Sequence, residues 1–157
     1  MLKTINPISK PVKNTIFTQT KYEPALLTAI LEQQKAIKMM LVQILKVTKD
    51  NRQKESLDST LIQLRITMSN HFLLKHHCLY PYILKKCANK FETRRIVYKH
   101  KSEMYSTYQS ILHTLKKKSG LYVGAPSKRK QLKALVLKIL VNQDFEKVEI
   151  FPLYTLN

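Results

Sequence analysis

Glycine and tryptophan are nearly or wholly missing from this sequence, and their absence narrows the possible folds. Its 157 residues include only 2 Gly and no Trp. Barrels, sandwiches and dinucleotide-binding sheets need glycine at their turns, and phosphate-binding loops and nucleophile elbows need it at fixed spacings. None of those glycine motifs occurs in the chain. The composition therefore favours a helical protein over the common glycine-dependent enzyme folds.

Acidic residues are also scarce. The chain has 10 Asp+Glu against 28 Lys+Arg, which gives a formal net charge of +18, although its 44% hydrophobic content is that of a globular domain. No apolar run approaches the roughly 20 residues of a membrane span, and the N-terminus lacks the apolar core of a secretory signal. We expect a small, basic, cytoplasmic domain without a transmembrane segment, in which Cys78 and Cys87 are reduced thiols.

The first part of the chain differs from the rest. Residues 1–22 carry four Lys, no acid and two prolines, and show no helical period. We predict a loose basic N-terminal arm, followed by a folded domain over residues 23–157. A mitochondrial targeting peptide is the alternative, but such peptides are rich in Arg and this arm has none.

Four stretches with apolar residues every three or four positions follow the arm. The first begins near Pro24, the second after Ser56 or Ser59, the third near Glu92 and the fourth near Ser127. Four helices of about 22 to 30 residues joined by modest loops predict an all-α, up-down-up-down four-helix bundle.

Polar residues interrupt the apolar stripes of these helices at mid-helix positions. They are Gln34, His71, Lys75, Asn142 and Glu146. Burying one polar group without a partner costs about 1–3 kcal/mol, and an unpaired charge costs more. We therefore expect the five side chains to face one another and to form one mutually satisfied layer.

Two segments of the chain repeat a pattern. HFLLKHHCLYP begins at His71 and NQDFEKVEIFP begins at Asn142, and each ends in an aliphatic residue, an aromatic residue and a proline. The pattern resembles the doubled HFxxEExxLFP motif of the hemerythrin-like HHE cation-binding family. Residues 31–37, LEQQKAI, resemble the first-helix element of that family, and residues 98–104 resemble the third. The resemblance covers roughly residues 25–154.

The resemblance implies a hemerythrin-like bundle whose helices hold two non-haem irons that bind or sense oxygen. Carried over by position, His71 and Glu146 match ligands, and so does His100 if it faces inward in place of Lys101. At three further ligand positions, where the family has a His, a Glu and a His, this chain has Gln34, Lys75 and Asn142. Amides are poor iron ligands, and an ammonium group cannot be one at neutral pH.

We therefore expect a degenerate site without its di-iron centre and with no cofactor. Lys75 would fill the space of the missing cation and neutralise Glu146. Iron is the alternative cofactor, because His71, His100 and Glu146 make a set of two imidazoles and a carboxylate that suits one metal ion.

Positive charge is concentrated in two regions of the sequence. No acid lies between Glu103 and Asp144, and this stretch supplies a predicted anion-binding patch, which consists of Lys116, Lys117, Lys118, Lys128, Arg129, Lys130, Lys133 and Lys138. A second group surrounds the connection between the second and third helices and consists of Lys85, Lys86, Lys90, Arg94 and Arg95. Such surfaces attract phosphates, anionic lipid or acidic proteins.

These features predict a non-enzymatic regulatory or adaptor protein whose basic surface binds an anionic macromolecule, either an acidic protein surface or nucleic acid. Bacterial regulator-of-sigma proteins resemble such a metal-free bundle and share a His-Phe element like His71-Phe72. One alternative is an iron-binding or oxygen- or redox-sensing hemerythrin-like protein with unorthodox ligands. The other is a nucleic-acid-binding helical domain, in which clustered tyrosines stack on RNA bases, although core packing explains those tyrosines more simply.

Overall fold

The computed structural model describes residues 21–47, 54–116 and 126–156, and within these ranges the chain is helical and contains no strand. Its helices are α1 (Pro24–Val47), α2 (Lys54–Leu74), α3 (Tyr80–Lys86), α4 (Phe91–Lys116), α5 (Pro126–Phe145) and α6 (Phe151–Thr155). Single π-helical turns, Lys75–Leu79 and Glu146–Ile150, join α2 to α3 and α5 to α6. The described residues thus form four long helical stretches, which confirms the prediction of an all-α helical bundle.

Two prolines explain why the second and fourth stretches contain a π turn, namely Pro81 and Pro152. Proline has no N–H, and its ring clashes with the carbonyl four residues earlier in a regular α-helix. The residues just before the prolines, Tyr80 and Phe151, donate their N–H groups five residues back, to the carbonyls of Lys75 and Glu146. The wider turn accommodates each proline without ending the helix. The repeat in the sequence is therefore also a repeat in the backbone.

The core consists of two apolar clusters. The first joins the second half of α1 to the first half of the α2–α3 stretch, the second half of α4 and the first half of the α5–α6 stretch, and includes Leu41, Leu64, Ile111 and Val136. The second joins the remaining halves of the four stretches and includes Ile30, Leu79, Val97 and Ile150. Along each stretch, buried polar residues fall between the two clusters.

The beginning of α1 lies against the end of the fourth stretch. The Tyr154 hydroxyl donates to the Glu23 carbonyl at 2.9 Å and accepts from the Glu23 N–H at 2.8 Å. The Tyr22 ring packs 5.0 Å from that of Tyr154 and 6.3 Å from that of Tyr82. Tyr22 belongs to the arm predicted from the sequence, and residues 1–20 of that arm lie outside the described residues.

The sequence predicts no transmembrane segment and two reduced thiols. None of the described helices combines the length and the apolar character needed to cross a bilayer.

Cys78 and Cys87 are both free thiols, the first partly buried and the second fully buried.

Candidate functional site

Glu146 is fully buried between the two apolar clusters and accepts hydrogen bonds from four side chains. Its Oε1 atom accepts from Lys75 Nζ at 2.7 Å, from His100 Nε2 at 2.9 Å and from the Tyr80 hydroxyl at 3.1 Å. Its Oε2 atom accepts from Gln34 Nε2 at 2.6 Å. Each of the four donor side chains is at most 3% exposed. We call these five residues the carboxylate centre.

Helical spacing brings the partners of Glu146 to the inside of the bundle. Gln34 follows the buried Ile30 by four residues, and His100 follows the buried Val97 by three, so both lie on the inner faces of their helices. His100 is buried, whereas Lys101 is only partly so, and the inward-facing residue of this pair in α4 is therefore His100.

The charge of Glu146 is stabilised despite its burial. Burial on its own raises the pKa of this carboxyl group, but the positive charge of Lys75 and hydrogen bonds from His100 and Lys75 lower it, from 4.5 to about 2. Glu146 is thus ionised at neutral pH with the Lys75 ammonium as its counter-ion. Burial and the neighbouring carboxylate raise the pKa of Tyr80 well above 10, so its hydroxyl remains a donor. Because an ionised carboxylate only accepts, His100 carries its proton on Nε2.

His71 is buried beside the carboxylate centre but makes no hydrogen bond to Glu146. Its Nδ1 atom lies 3.1 Å from Gln33 Oε1, and its buried Nε2 atom has no hydrogen-bond partner in the described part of the chain. Burial and the positive charge of Lys75 lower the pKa of His71 to about 3, although Glu146 opposes the shift. The imidazole is therefore neutral and donates through Nδ1. Lys75 and Gln143 line, together with His71, a cavity of about 30 Å³.

The structure brings together three of the five polar residues singled out by the sequence, which are Gln34, Lys75 and Glu146. His71 and Asn142 are buried, but neither bonds to the carboxylate, and Asn142 Nδ2 has no partner among the described residues. The neighbouring Gln143 instead donates to the Gln34 carbonyl at 3.4 Å. The single layer expected from the sequence is therefore a compact carboxylate centre with two separate buried polar residues beside it.

Sequence reasoning missed Tyr80 as a partner of Glu146. Tyr80 lies five residues after Lys75, and in a regular α-helix these two positions point in different directions. The π turn has more residues per turn and brings both side chains onto the same carboxylate oxygen. Pro81 was the available signal, because a proline inside an otherwise continuous helical pattern requires such an adjustment.

This donor set does not fit the iron that the family resemblance implies. The Lys75 ammonium, which cannot be a ligand, lies 2.7 Å from one Glu146 oxygen, and hydrogen-bond donors occupy both oxygens. His71 is held by Gln33 instead of sharing a site with His100 and Glu146. In residues 21–47, 54–116 and 126–156, no three His, Cys, Asp or Glu side chains are grouped so that they could hold a metal ion.

The predicted anion-binding patch is only partly visible. Lys130, Lys133 and Lys138 are exposed along α5, and Arg129 is partly buried in its first turns. Lys116 is the last residue of α4 and Lys128 belongs to the start of α5, while Lys117 and Lys118 lie outside the described residues. That the eight residues form one continuous patch thus remains a prediction.

No family model, curated protein or solved structure matches this chain. The likeness to hemerythrin-like domains accordingly rests on the sequence pattern described above, and the function that it implies is a matter for proposal.

Proposed function

We propose that this chain is a hemerythrin-like, up-down-up-down four-helix bundle in which a lysine–glutamate pair takes the place of a metal centre. We further propose that it works as a cytoplasmic, non-enzymatic regulatory or adaptor protein that binds an anionic macromolecule. The observation that carries the proposal is the buried contact between Lys75 and Glu146, which stand at two positions where the HHE pattern has carboxylate ligands.

The composition of the two core clusters supports the up-down arrangement. The cluster containing Leu41 joins the second half of the first stretch to the first half of the second, and the second half of the third stretch to the first half of the fourth. The cluster containing Ile30 joins the opposite halves of the same stretches. Consecutive helices that run in opposite directions meet in this way.

The properties of the carboxylate centre support a role other than catalysis. Glu146 is the buried carboxyl group of the described core, and its pKa of about 2 is far from the neutral value that suits a general base. Both of its oxygens are engaged by protein donors, and it has no exposed surface. The centre fixes how the four stretches meet, which is a structural task.

The surface charge supports an anionic partner. The net charge of +18 produces a positive field that raises the local concentration of polyanions and speeds their association. Lys130, Lys133 and Lys138 are exposed along one helix, and neighbouring residues up to Gln143 include no acid. Phosphate or carboxylate groups on a partner would therefore meet no acidic side chain of α5 itself between Lys130 and Gln143.

Binding of heparin, a polyanion without bases, at several NaCl concentrations tests the proposed surface. Lys130→Gln/Lys133→Gln/Lys138→Gln should weaken binding more than the control Lys35→Gln/Lys38→Gln/Lys46→Gln, which removes the same charge from exposed positions of α1. The affinity should also fall steeply with salt. Equal effects of the two triple variants would show that only total charge matters and would contradict the proposal.

Metal analysis tests the proposal that a lysine–glutamate pair takes the place of a metal centre. Protein produced with added iron should contain far less than one iron per chain, and chelator treatment should leave its melting temperature unchanged. Stoichiometric iron that disappears in His71→Ala and Glu146→Gln would establish the iron-binding alternative instead.

A further inference from the structure

Three large aromatic side chains are exposed at intervals of seven residues along α4. Phe91 is 76% exposed, Tyr98 is 49% exposed and Tyr105 is 51% exposed. Seven residues are almost two helical turns, so the three rings lie on one face and are about 10.5 Å apart along the helix axis. Single exposed apolar residues are common, but a regular row of aromatic rings is a distinct surface. Tyr105 also packs on the Phe72 ring at 5.5 Å, which leaves Phe91 and Tyr98 as the freer pair.

Basic side chains surround this pair of rings. Arg94, Arg95 and Lys99 line one surface depression together with Phe91 and Tyr98. The Arg94 guanidinium lies 5.9 Å from the centroid of the Tyr98 ring and donates to the Ala88 carbonyl at 3.2 Å, so it is held beside the ring. We call these five residues the Phe91 surface.

The acidic residue nearest to the start of this helix does little to offset the positive charge. Glu92 pairs with Arg95 at 2.9 Å, and both side chains are highly exposed. An exposed pair of this kind is weak, so Arg95 can exchange Glu92 for another anion. Lys85, Lys86 and Lys90, which precede α4, are exposed as well. The Phe91 surface is therefore both aromatic and strongly cationic.

We propose that the Phe91 surface binds single-stranded nucleic acid, with bases stacked on Phe91 and Tyr98 and phosphates bound by Arg95 and Lys99. This inference rests on the proposed function and names the class of its anionic partner. An acidic protein would match the cations but would not need the two exposed rings. A duplex would offer phosphates but would hide the faces of its bases. A single strand offers both, and aromatic rings set among basic residues are the usual means of binding one without sequence preference.

The first experiment separates stacking from charge. A labelled oligo-dT of roughly 15 nucleotides, the upper range of site sizes for single-strand binding folds, is titrated and followed by fluorescence anisotropy. Phe91→Leu/Tyr98→Leu keeps the charge and an apolar side chain but removes both rings, so we expect binding at least about tenfold weaker. Heparin affinity and the salt dependence should stay unchanged. The matched control, Ile62→Ala/Leu137→Ala, changes two exposed apolar residues on other helices and should not alter oligo-dT binding.

A second experiment reports stacking directly and does not depend on the double variant. The chain has no Trp, so Phe91→Trp places a single indole in the Phe91 surface. Oligo-dT should quench its emission. Heparin and an abasic oligonucleotide of equal length should bind without quenching it.

The outcomes distinguish this inference from the proposed function. Unchanged oligo-dT affinity in Phe91→Leu/Tyr98→Leu, or an unquenched indole in the oligo-dT complex, would overturn the stacking site while leaving a polyanion-binding protein. Duplex DNA that binds as tightly as the single strand would overturn it too. A wild-type protein that binds neither heparin nor oligo-dT would refute the proposed function as well.

Discussion

Lys75 and Glu146 form an ion pair of 2.7 Å although both side chains are almost completely removed from solvent. The two residues occupy the same position in the two halves of the internal repeat, at the first residue of each π turn. Removing two charges from water costs several kcal/mol per ion, so such a pair adds little net stability even though it fixes how helices meet. Replacing one residue of the pair should therefore lower the free energy of unfolding far more than replacing both.

Lys75→Met tests this asymmetry. It leaves the Glu146 carboxylate buried without its counter-ion, so we expect the free energy of unfolding to fall by about 3–5 kcal/mol. Lys75→Met/Glu146→Gln should be less destabilised than the single variant, because its neutral amide oxygen can still accept from His100 and Tyr80. Urea unfolding measures both variants.

An exposed pair supplies the control for that comparison. Lys147 lies 3.9 Å from Asp144 on the surface of the fourth stretch. Lys147→Met should change stability by less than about 1 kcal/mol. If Lys75→Met costs no more than Lys147→Met, the buried pair does not hold the bundle together as described.

Acid should destabilise the protein in two successive stages. The pKa of His71 is lowered from 6.5 to about 3, so the unfolded chain takes up this proton first and stability falls as the pH drops below 6.5. The pKa of Glu146 is lowered from 4.5 to about 2, so its contribution is complete above pH 4.5 and is lost as the pH falls through about 2. Urea unfolding across this range measures both stages.

Substitutions assign each stage to its residue. His71→Gln should flatten the pH dependence between 6.5 and 4.5, whereas Glu146→Gln should flatten it below 4.5. His113→Gln, at an exposed position of α4, serves as the histidine control. Burial also lowers the pKa of His76, so a smaller slope above pH 4.5 should remain in His71→Gln. A slope as steep as that of the wild type would contradict the assignment of this stage to His71.

Much of this fold could be predicted from the residue pattern. Apolar residues at every third or fourth position were enough to find the helical stretches, and the cost of burying polar groups drew attention to Gln34, Lys75 and Glu146. The structure places all three in hydrogen-bond contact. Spacing and burial cost together thus predict which residues are inside.

The partners within the core were harder to predict. Spacing indicated that His71 is buried but could not show that it bonds to Gln33, because that choice depends on how two helices are rotated. The hydrogen bond from Tyr80 to Glu146 depends on a π turn, which a search for the regular helical period does not detect. The spacing of apolar residues therefore identifies the inward face of each helix, whereas the hydrogen-bond partners depend on tertiary packing and on irregular turns.

Tyr80→Phe measures the contribution of that missed hydroxyl. It removes one of the three donors to Glu146 Oε1 and keeps the ring in the apolar cluster. Hydrogen bonds to charged groups are worth about 1.5–3 kcal/mol, so we expect a loss of stability in this range. Tyr82→Phe, two residues further along α3, is the control and should lower the free energy of unfolding less. Equal effects would place the Tyr80 hydroxyl outside the carboxylate centre.

Salt should stabilise this protein at neutral pH. The net charge of +18 makes the compact state repel itself, and raising the NaCl concentration from about 0.05 M to 0.5 M shortens the screening length severalfold and weakens that repulsion. The Lys75–Glu146 pair is buried and is screened far less, so it does not oppose this gain. We therefore expect the melting temperature to rise with NaCl, and to rise by a similar amount in Glu146→Gln. A melting temperature that falls with salt would show that surface ion pairs outweigh the repulsion among the excess lysines and arginines.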